Sequence, residues 1–389
     1  MGKDTQNYYL FSGLHSFLLG LFPFFLPVYL YKSGAGLDEI SWFIAITGIV
    51  FSLTLFCLDY LRKGSYLWPL LLSFLLELSL LVLLVLGAPL YLVAMANGAY
   101  SCLYWMLQRI LFLSGGSDKD SGKRFGNFQI FILIVLKMGI LAGSLLLENS
   151  GVFAVCVVST VIASIGIMFF IHVRGELLFP ENLNRQKPMG PLKLLRFKDK
   201  YNSRIVFAFD GLFLYLESYF WVISLFLMVG ESFVKLGGLV IVLAVVLGLV
   251  FFLIKDRIDQ LNKQVVYRLG VGLYMCSWLL RAFFDASTAR GTQIVMLLVI
   301  AFCTSFFRLT FNKRFFDLAK SNGGNHYLFV KSHYSQIFLV VGFTLLGYGL
   351  GVFSDNLTFL RNTYLGASFF SIFYLLYRYD DRVKADRFL

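Results

Sequence analysis

The sequence predicts an all-α polytopic membrane protein, with twelve transmembrane helices in two pseudo-symmetric halves of six. Three observations predict it. Of 389 residues, 58% are hydrophobic and only 14% are charged, against about 25% charged in a soluble domain. The apolar residues are gathered into runs long enough for a helix rising about 1.5 Å per residue to cross a hydrocarbon core of about 30 Å. The second half of the chain also repeats features of the first at one common shift.

The first run, 8–31, contains Pro23 and Pro27 and has no A-x-A cleavage site, so it reads as a retained span rather than a signal peptide. It ends at Lys32-Ser33-Gly34. The second, 37–61, stops at Arg62 and Lys63; the third, 66–87, stops at Gly87 and Pro89. The fourth and fifth, 89–114 and 126–148, end at Gly115-Gly116 and at Asn149, and the sixth is 151–173. A polar segment, 174–203, then carries Pro180, Pro188 and Pro191 with no sustained helical pattern. The remaining runs are 204–229, 233–254, 265–287, 291–312, 326–352 and 360–379, broken in turn by Gly230, Lys255, Arg290, Lys313 and Asp355. This gives a first bundle over 1–173, a linker over 174–203 and a second bundle over 204–389.

The gaps alternate in charge. One set holds Arg62 and Lys63, then Lys119, Lys123 and Arg124, the basic 174–203 segment, Lys255, Arg257, Lys263 and Arg268, then Lys313, Arg314 and Lys320, and the basic C-terminus. The other set holds only Lys32, Lys235, Arg290 and Arg361. Short Lys/Arg-rich loops stay in the cytoplasm, so both termini are expected inside, in the cytoplasmic (inner) membrane of the cell. The formal charge of +12 is thus a topology signal; a nucleic-acid surface needs a basic patch on a soluble domain. The five cysteines all sit in apolar runs without CxxC spacing, and read as small buried hydrophobes.

The repeat is sparse but regular. At a shift of about 198 residues, Phe11, Gly13 and Leu14 fall on Phe209, Gly211 and Leu212, and Gly126, Asn127 and Phe131 fall on Gly324, Asn325 and Phe329. One residue to either side of that shift, Arg109 falls on Arg308, Gly143 on Gly342, and Asp59 on Asp256. Six spans separate the copies, so the repeat is parallel, about an axis along the membrane normal.

The charged stretch Asp256-Arg257-x-Asp259-x-x-x-Lys263, preceded by Gly248, resembles the loop motif of the major facilitator superfamily. The first copy keeps Asp59, Arg62 and Lys63 without the Asp-Arg pair. The resemblance implies twelve helices around a central cavity lined by the first, fourth, seventh and tenth. It also implies that Asp59, Arg62, Asp256, Arg257 and Asp259 gate the cytoplasmic side, a carboxylate meeting a helix N-terminus. Solvated loop charges are the alternative reading of the same residues.

A charge at mid-bilayer costs about 2.5–3.5 kcal/mol on insertion scales, so embedded ions must face protein or water. On the implied cavity helices these are His15, Arg109, Asp210, Glu217 and Arg308. Asp210 and Glu217 are seven residues apart, on one helix face. The arginines read either as solute contacts or as groups snorkelling to headgroups. Glu77 and Lys137 lie near the centres of their spans: Glu77 is a proton site or a structural partner, and Lys137 binds an anion or pairs with Glu77. Arg281 with Asp285 reads as an interfacial pair, and Lys331 and His333 as gate residues or headgroup contacts. Tyr215 and Trp105 are aromatic candidates for the cavity wall.

The function expected is secondary active transport by a monomer that moves a small organic, anionic or zwitterionic solute and protons across the bilayer. Glu217, Asp210 and Glu77 are the proton-coupling candidates; Arg109, Arg308, His15, Lys137, Tyr215 and Trp105 are the solute-binding ones. Export of a siderophore-like metabolite or drug is the direction expected, with uptake as the alternative. No GxSxG, HExxH or nucleotide-binding loop occurs, which disfavours an enzyme, and no cofactor is expected.

Overall fold

The computed structural model describes residues 3–61, 67–114, 121–172, 190, 193–194, 196–260, 262–284, 290–321, 324–353 and 356–378, and every element among them is helical. The first six helices are α1 (Lys3–Leu21, then Leu26–Lys32), α2 (Leu37–Leu61), α3 (Leu67–Val85), α4 (Leu90–Ser114), α5 (Ser121–Asn149) and α6 (Gly151–His172). Then come α7 (Ser203–Tyr215, a π-helical turn Leu216–Trp221, and Val222–Met228), α8 (Phe233–Gln260) and α9 (Lys263–Ala282). Last are α10 (Arg290–Ser321), α11 (Asn325–Val352) and α12 (Asn356–Phe370, closing in a 3₁₀ turn Ser371–Leu376). Among the described residues, ten helices are long and apolar enough to cross a bilayer. The chain is a multi-pass membrane protein.

Two spans are not single α-helices. In α1 the ladder opens at residues 22–25 and restarts with Pro27 in the new first turn, because proline has no N–H to give and is tolerated where that N–H would be unpaired. In α7 the π turn falls on the segment that carries Glu217. Other helices outrun the apolar stretches: α8 continues to Gln260 and α10 to Ser321, since backbone pairing continues past the hydrocarbon edge. Asp256, Arg257 and Asp259 therefore ride on the last turns of α8 rather than in a loop. Their side chains, and Arg62, lie outside the described residues. Asp59 is buried at the end of α2. Cys102 and Cys303 are buried as expected, whereas Cys57 and Cys276 are exposed.

The packing repeats with the sequence. The α1–α5, α3–α4 and α3–α6 pairs recur as α7–α11, α9–α10 and α9–α12. Between the two sets, α2 packs on α11 and α5 on α8. Lipid tails are as apolar as leucine, so such contacts depend on close approach. Between α1 and α5 that approach is made by Gly20 against the Leu136 carbonyl, Gly139 against the Phe17 carbonyl and Gly143 against the Leu21 carbonyl. In α7–α11 the same role falls to Gly211, beside the Ser335 backbone, and Gly342, beside Leu212.

One end of the second bundle is pinned by polar contacts. The Asp199 carboxylate accepts the Ser203 N–H at 3.0 Å and caps α7, and Ser203 Oγ lies 2.5 Å from the Tyr327 hydroxyl. Tyr327 meets Tyr377 at 2.9 Å, and Arg314 donates to the Tyr377 carbonyl at 2.6 Å and to Gln264 Oε1 at 2.6 Å. Arg314, expected in a basic loop, is instead buried across the Tyr267 ring at 3.6 Å.

Candidate functional site

The densest set of embedded charges gathers around Arg308 on α10. Its Nη1 donates to Asp210 Oδ1 at 2.7 Å, and its Nη2 and Nε donate to Glu217 Oε2 at 3.0 and 3.2 Å. Nη2 also reaches the Tyr274 hydroxyl on α9 at 3.3 Å. Asp210 is held on both oxygens: Tyr374 of α12 donates to Oδ1 at 3.0 Å, and Lys331 of α11 pairs with Oδ2 at 3.1 Å. Five helices thus converge on two carboxylates, two cations and two phenols.

Each charge sits where the local sequence puts it. Asp210 and Glu217, two turns apart on α7, present both carboxylates to α10, as their spacing predicts. The π turn widens the helix locally, a feature frequent at functional sites. Arg308 spans the gap with a planar fork that no ammonium could match. Beneath it Tyr274 stacks on Phe307 with centroids 4.1 Å apart, and Lys331 lies over the Phe315 ring at 4.3 Å.

The two carboxylates are not equivalent. Asp210 has every oxygen engaged. Glu217 spends both Arg308 bonds on Oε2, and its Oε1 is buried with no hydrogen-bond partner among the described residues. The side chains of Arg308 and Glu217 retain 18% and 13% exposure, against 6% for Asp210, so the Arg308–Glu217 side of the cluster is the more exposed one.

Other predicted residues are distributed as follows. Arg109 on α4, the repeat mate of Arg308, makes no hydrogen bond or ion pair with a described residue; its guanidinium lies 5.9 Å from the Trp105 ring. It is near enough to Asp210 and Lys331 to interact with both electrostatically. Tyr215 stacks on Tyr219 at 5.4 Å, and Tyr219 accepts from Asn97 of α4 at 3.3 Å, joining the two bundles. Lys137 is half-buried on α5, with no hydrogen bond or ion pair to a described residue.

His15 is not beside Arg308. It is fully buried, with Nδ1 3.0 Å from Glu77 Oε2 and Nε2 2.9 Å from Ser73 Oγ, and its ring stacks on Phe74 at 3.9 Å. Tyr100 donates to the other Glu77 oxygen at 3.1 Å. Glu77 therefore pairs with His15 rather than Lys137, in a sealed knot between α1, α3 and α4. Buried polar groups that satisfy one another in this way hold helices in place.

Three residues differ from the sequence reading. Lys331, expected at a gate or headgroup, completes the Asp210 pair. His333 is buried at the α2–α11 contact, 4.2 Å from the Phe56 ring, and neither ring nitrogen has a hydrogen-bond partner among the described residues. Arg281 is buried between Trp278 and Trp221 and donates to Ser277 and Thr304 at 3.1 and 2.9 Å; Asp285 lies outside the described residues. Tyr274 and Tyr374 belong to the cluster without being marked in the sequence, two among 21 tyrosines with nothing distinctive in their spacing.

A bundle of this connectivity, with paired helices repeated across its halves, defines a class of polytopic membrane folds. No protein-family model and no curated relative matches the chain. Among solved structures, it is similar to the crystal structure of nucleoside transporter NupG, at 16% identity over 97% of this chain and 100% of that one, with a TM-score of 0.67. The crystal structure of a NupG point mutant gives 14% identity, 96% and 98% coverage, and a TM-score of 0.68. A bacterial homologue of the human drug peptide transporters PepT1 and PepT2 gives 10% identity, 99% and 98% coverage, and 0.67. The chain has the major facilitator fold.

Proposed function

We propose that the protein is a secondary transporter that moves a small organic anion or zwitterion across the cytoplasmic membrane by alternating access, coupled to protons. The observation that carries this reading is the sharing of one guanidinium, Arg308, between Asp210 and Glu217, with one Glu217 oxygen left unpartnered. A solute carboxylate can take the Arg308 edge held by Glu217, and a proton can replace that bond on Glu217. Both events settle the same charge balance. Arg109 on α4 and Arg281 beside Trp221 add cationic charge that the two carboxylates do not match, which favours an anion. The neighbours in fold carry nucleosides and peptides; a peptide offers the carboxylate this site suits.

In this reading residues 1–173 and 204–389 are the two moving units, 174–203 the linker, and the transporter is a monomer. Lys32 donates to the Glu231 carbonyl at 3.2 Å, and Glu148 accepts from Ser232 Oγ and the Phe233 N–H, each at 2.9 Å. These contacts join the halves at the end away from the basic loops. The direction proposed is export, with uptake as the alternative. Purified protein in liposomes, given radiolabelled di- and tricarboxylates and dipeptides, should move at least one of them down an imposed pH gradient and lose that flux with a protonophore. Solute recovered chemically altered would replace the transporter with an enzyme; gradient-driven flow in the opposite sense would make it an importer.

Orientation has its own test. The Lys/Arg asymmetry places both termini and residues 174–203 in the cytoplasm. An impermeant thiol reagent added to intact cells should label a cysteine placed at Ser232 but not one at Asn184. Labelling at 184 alone inverts the topology, and with it the direction of transport.

A further inference from the structure

The two flanks of the molecule differ where the repeat would make them alike. On one flank α2 and α11 touch along their length: Gly347 lies against Ser41 and Trp42, Gly48 against Leu339 and Val340, and His333 against Phe56. On the other, α5 and α8 meet through Ile140 and Ser144 at Gly237, and through Glu148 at Ser232 and Phe233. Farther along α8, Val242 is 59% exposed and Leu249 61% exposed, and a methyl group added at Gly248 would touch nothing. Only 17% of the apolar stretch of α8 is buried, against 50% for its counterpart α2.

The chemistry of this flank is equally one-sided. From Leu236 to Ile254, α8 carries no polar side chain, whereas α2 carries Ser41, Thr47, Ser52 and Thr54. Across from it, the stretch of α5 from Ile130 to Leu141 offers Ile130, Leu133, Ile134 and Leu141, all exposed, and one cation, Lys137. Ser144 and Glu148, seven and eleven residues after Lys137, lie on its face of the helix and both touch α8. Lys137 therefore points along the α8 side, about 10 Å from Ser144 at 1.5 Å per residue. A half-buried ammonium at mid-membrane with no described carboxylate to answer it is costly unless an anion or water reaches it.

We propose that the α5–α8 flank is a lateral entrance from the bilayer, and that the solute is an amphiphilic anion: an acidic headgroup that Lys137 receives and passes towards Arg109 and Arg308, on an aliphatic tail that stays against α8. This rests on the transporter reading above and names its substrate class. The aliphatic wall accepts a tail at little cost in lipid, and the lone cation selects the headgroup charge. A solute arriving from water needs neither.

The test uses the full chain in nanodiscs of neutral lipid, with lysophosphatidic acid as the tailed probe and glycerol 3-phosphate as the tailless one, read by thermal unfolding. Lysophosphatidic acid should raise the melting temperature at a half-saturating concentration at least tenfold below that of glycerol 3-phosphate. Lys137→Gln should raise the lysophosphatidic acid midpoint about tenfold, whereas Lys235→Gln, at the outer end of α8, should leave it in place. Val245→Trp, which fills the entrance without touching charge, should also raise that midpoint. Equal midpoints for the two probes, or a lysophosphatidic acid response indifferent to Lys137→Gln, would overturn the proposal. Tight binding of the tailless anion that depends on Arg308 would do so while leaving the transporter reading standing.

Discussion

Arg308→Ala is expected to lower stability by about 3–5 kcal/mol, the usual cost of removing one partner from a buried ion pair, and to abolish anion binding. The guanidinium makes four hydrogen bonds to three residues. Without it, Glu217 loses its ion-pair partner and Asp210 keeps its pair with Lys331 only, in a low-dielectric interior, and the Tyr274 hydroxyl loses a donor as well. Because the side chain keeps 18% exposure, water can enter, and the lower end of the range is the better figure. Arg308→Lys should recover only part, since an ammonium cannot grip Asp210 and Glu217 together. The informative measurement is a cycle with Glu217→Gln. If the two residues form one unit, the double variant is less destabilised than the sum of the singles. Strict additivity, with anion binding intact in Arg308→Ala, would remove Arg308 from the centre of the site.

Much of this architecture was legible in the sequence because hydrophobic runs and charge breaks state it directly. The run 37–61 became α2 (Leu37–Leu61), and 151–173 became α6 (Gly151–His172). What escaped were features that leave no trace in hydropathy. The break at 22–25 lies inside one apolar run, and the π turn at Leu216–Trp221 changes the hydrogen-bond register without changing residue character. The polar ends of α8 and α10 read as loops because hydropathy reports the bilayer edge, whereas helical pairing does not stop there.

The site was legible in part for the same reason. Charges stand out against an apolar background, so Asp210, Glu217 and Arg308 could be singled out, and the seven-residue spacing put two of them on one face. Which charge meets which depends on helix neighbours, and pairwise contact is not written along the chain. Glu77 had two candidate partners by depth alone; the α1–α3 contact gave it to His15, and Lys137 was left on another face. Lys331 looked like a headgroup contact because it stands near the start of α11. Yet α7 also begins at that end, so Asp210, in its second turn, is at the same depth.

Glu217→Gln is expected to abolish accumulation driven by a pH gradient while leaving solute binding and counterflow within a few-fold of the parent protein. The assignment to Glu217 ahead of Asp210 follows from how their oxygens are spent. A proton arriving at Asp210 must displace Arg308, Tyr374 or Lys331. A proton arriving at Glu217 has an empty oxygen to take, and releases the Arg308 edge at Oε2. Glutamine keeps the shape and can still accept from Arg308, but it cannot carry the proton, so the solute site persists without its coupling. Asp210→Asn should behave differently: it weakens the pair with Lys331 and the anchor of Arg308 together, and so costs binding and stability at once. Anion binding separates the two, because Glu217→Gln should keep it within a few-fold and Asp210→Asn should not. Full gradient-driven transport by Glu217→Gln would move the proton to Asp210, and would mean that the cluster opens on the Lys331 side instead of the Glu217 side.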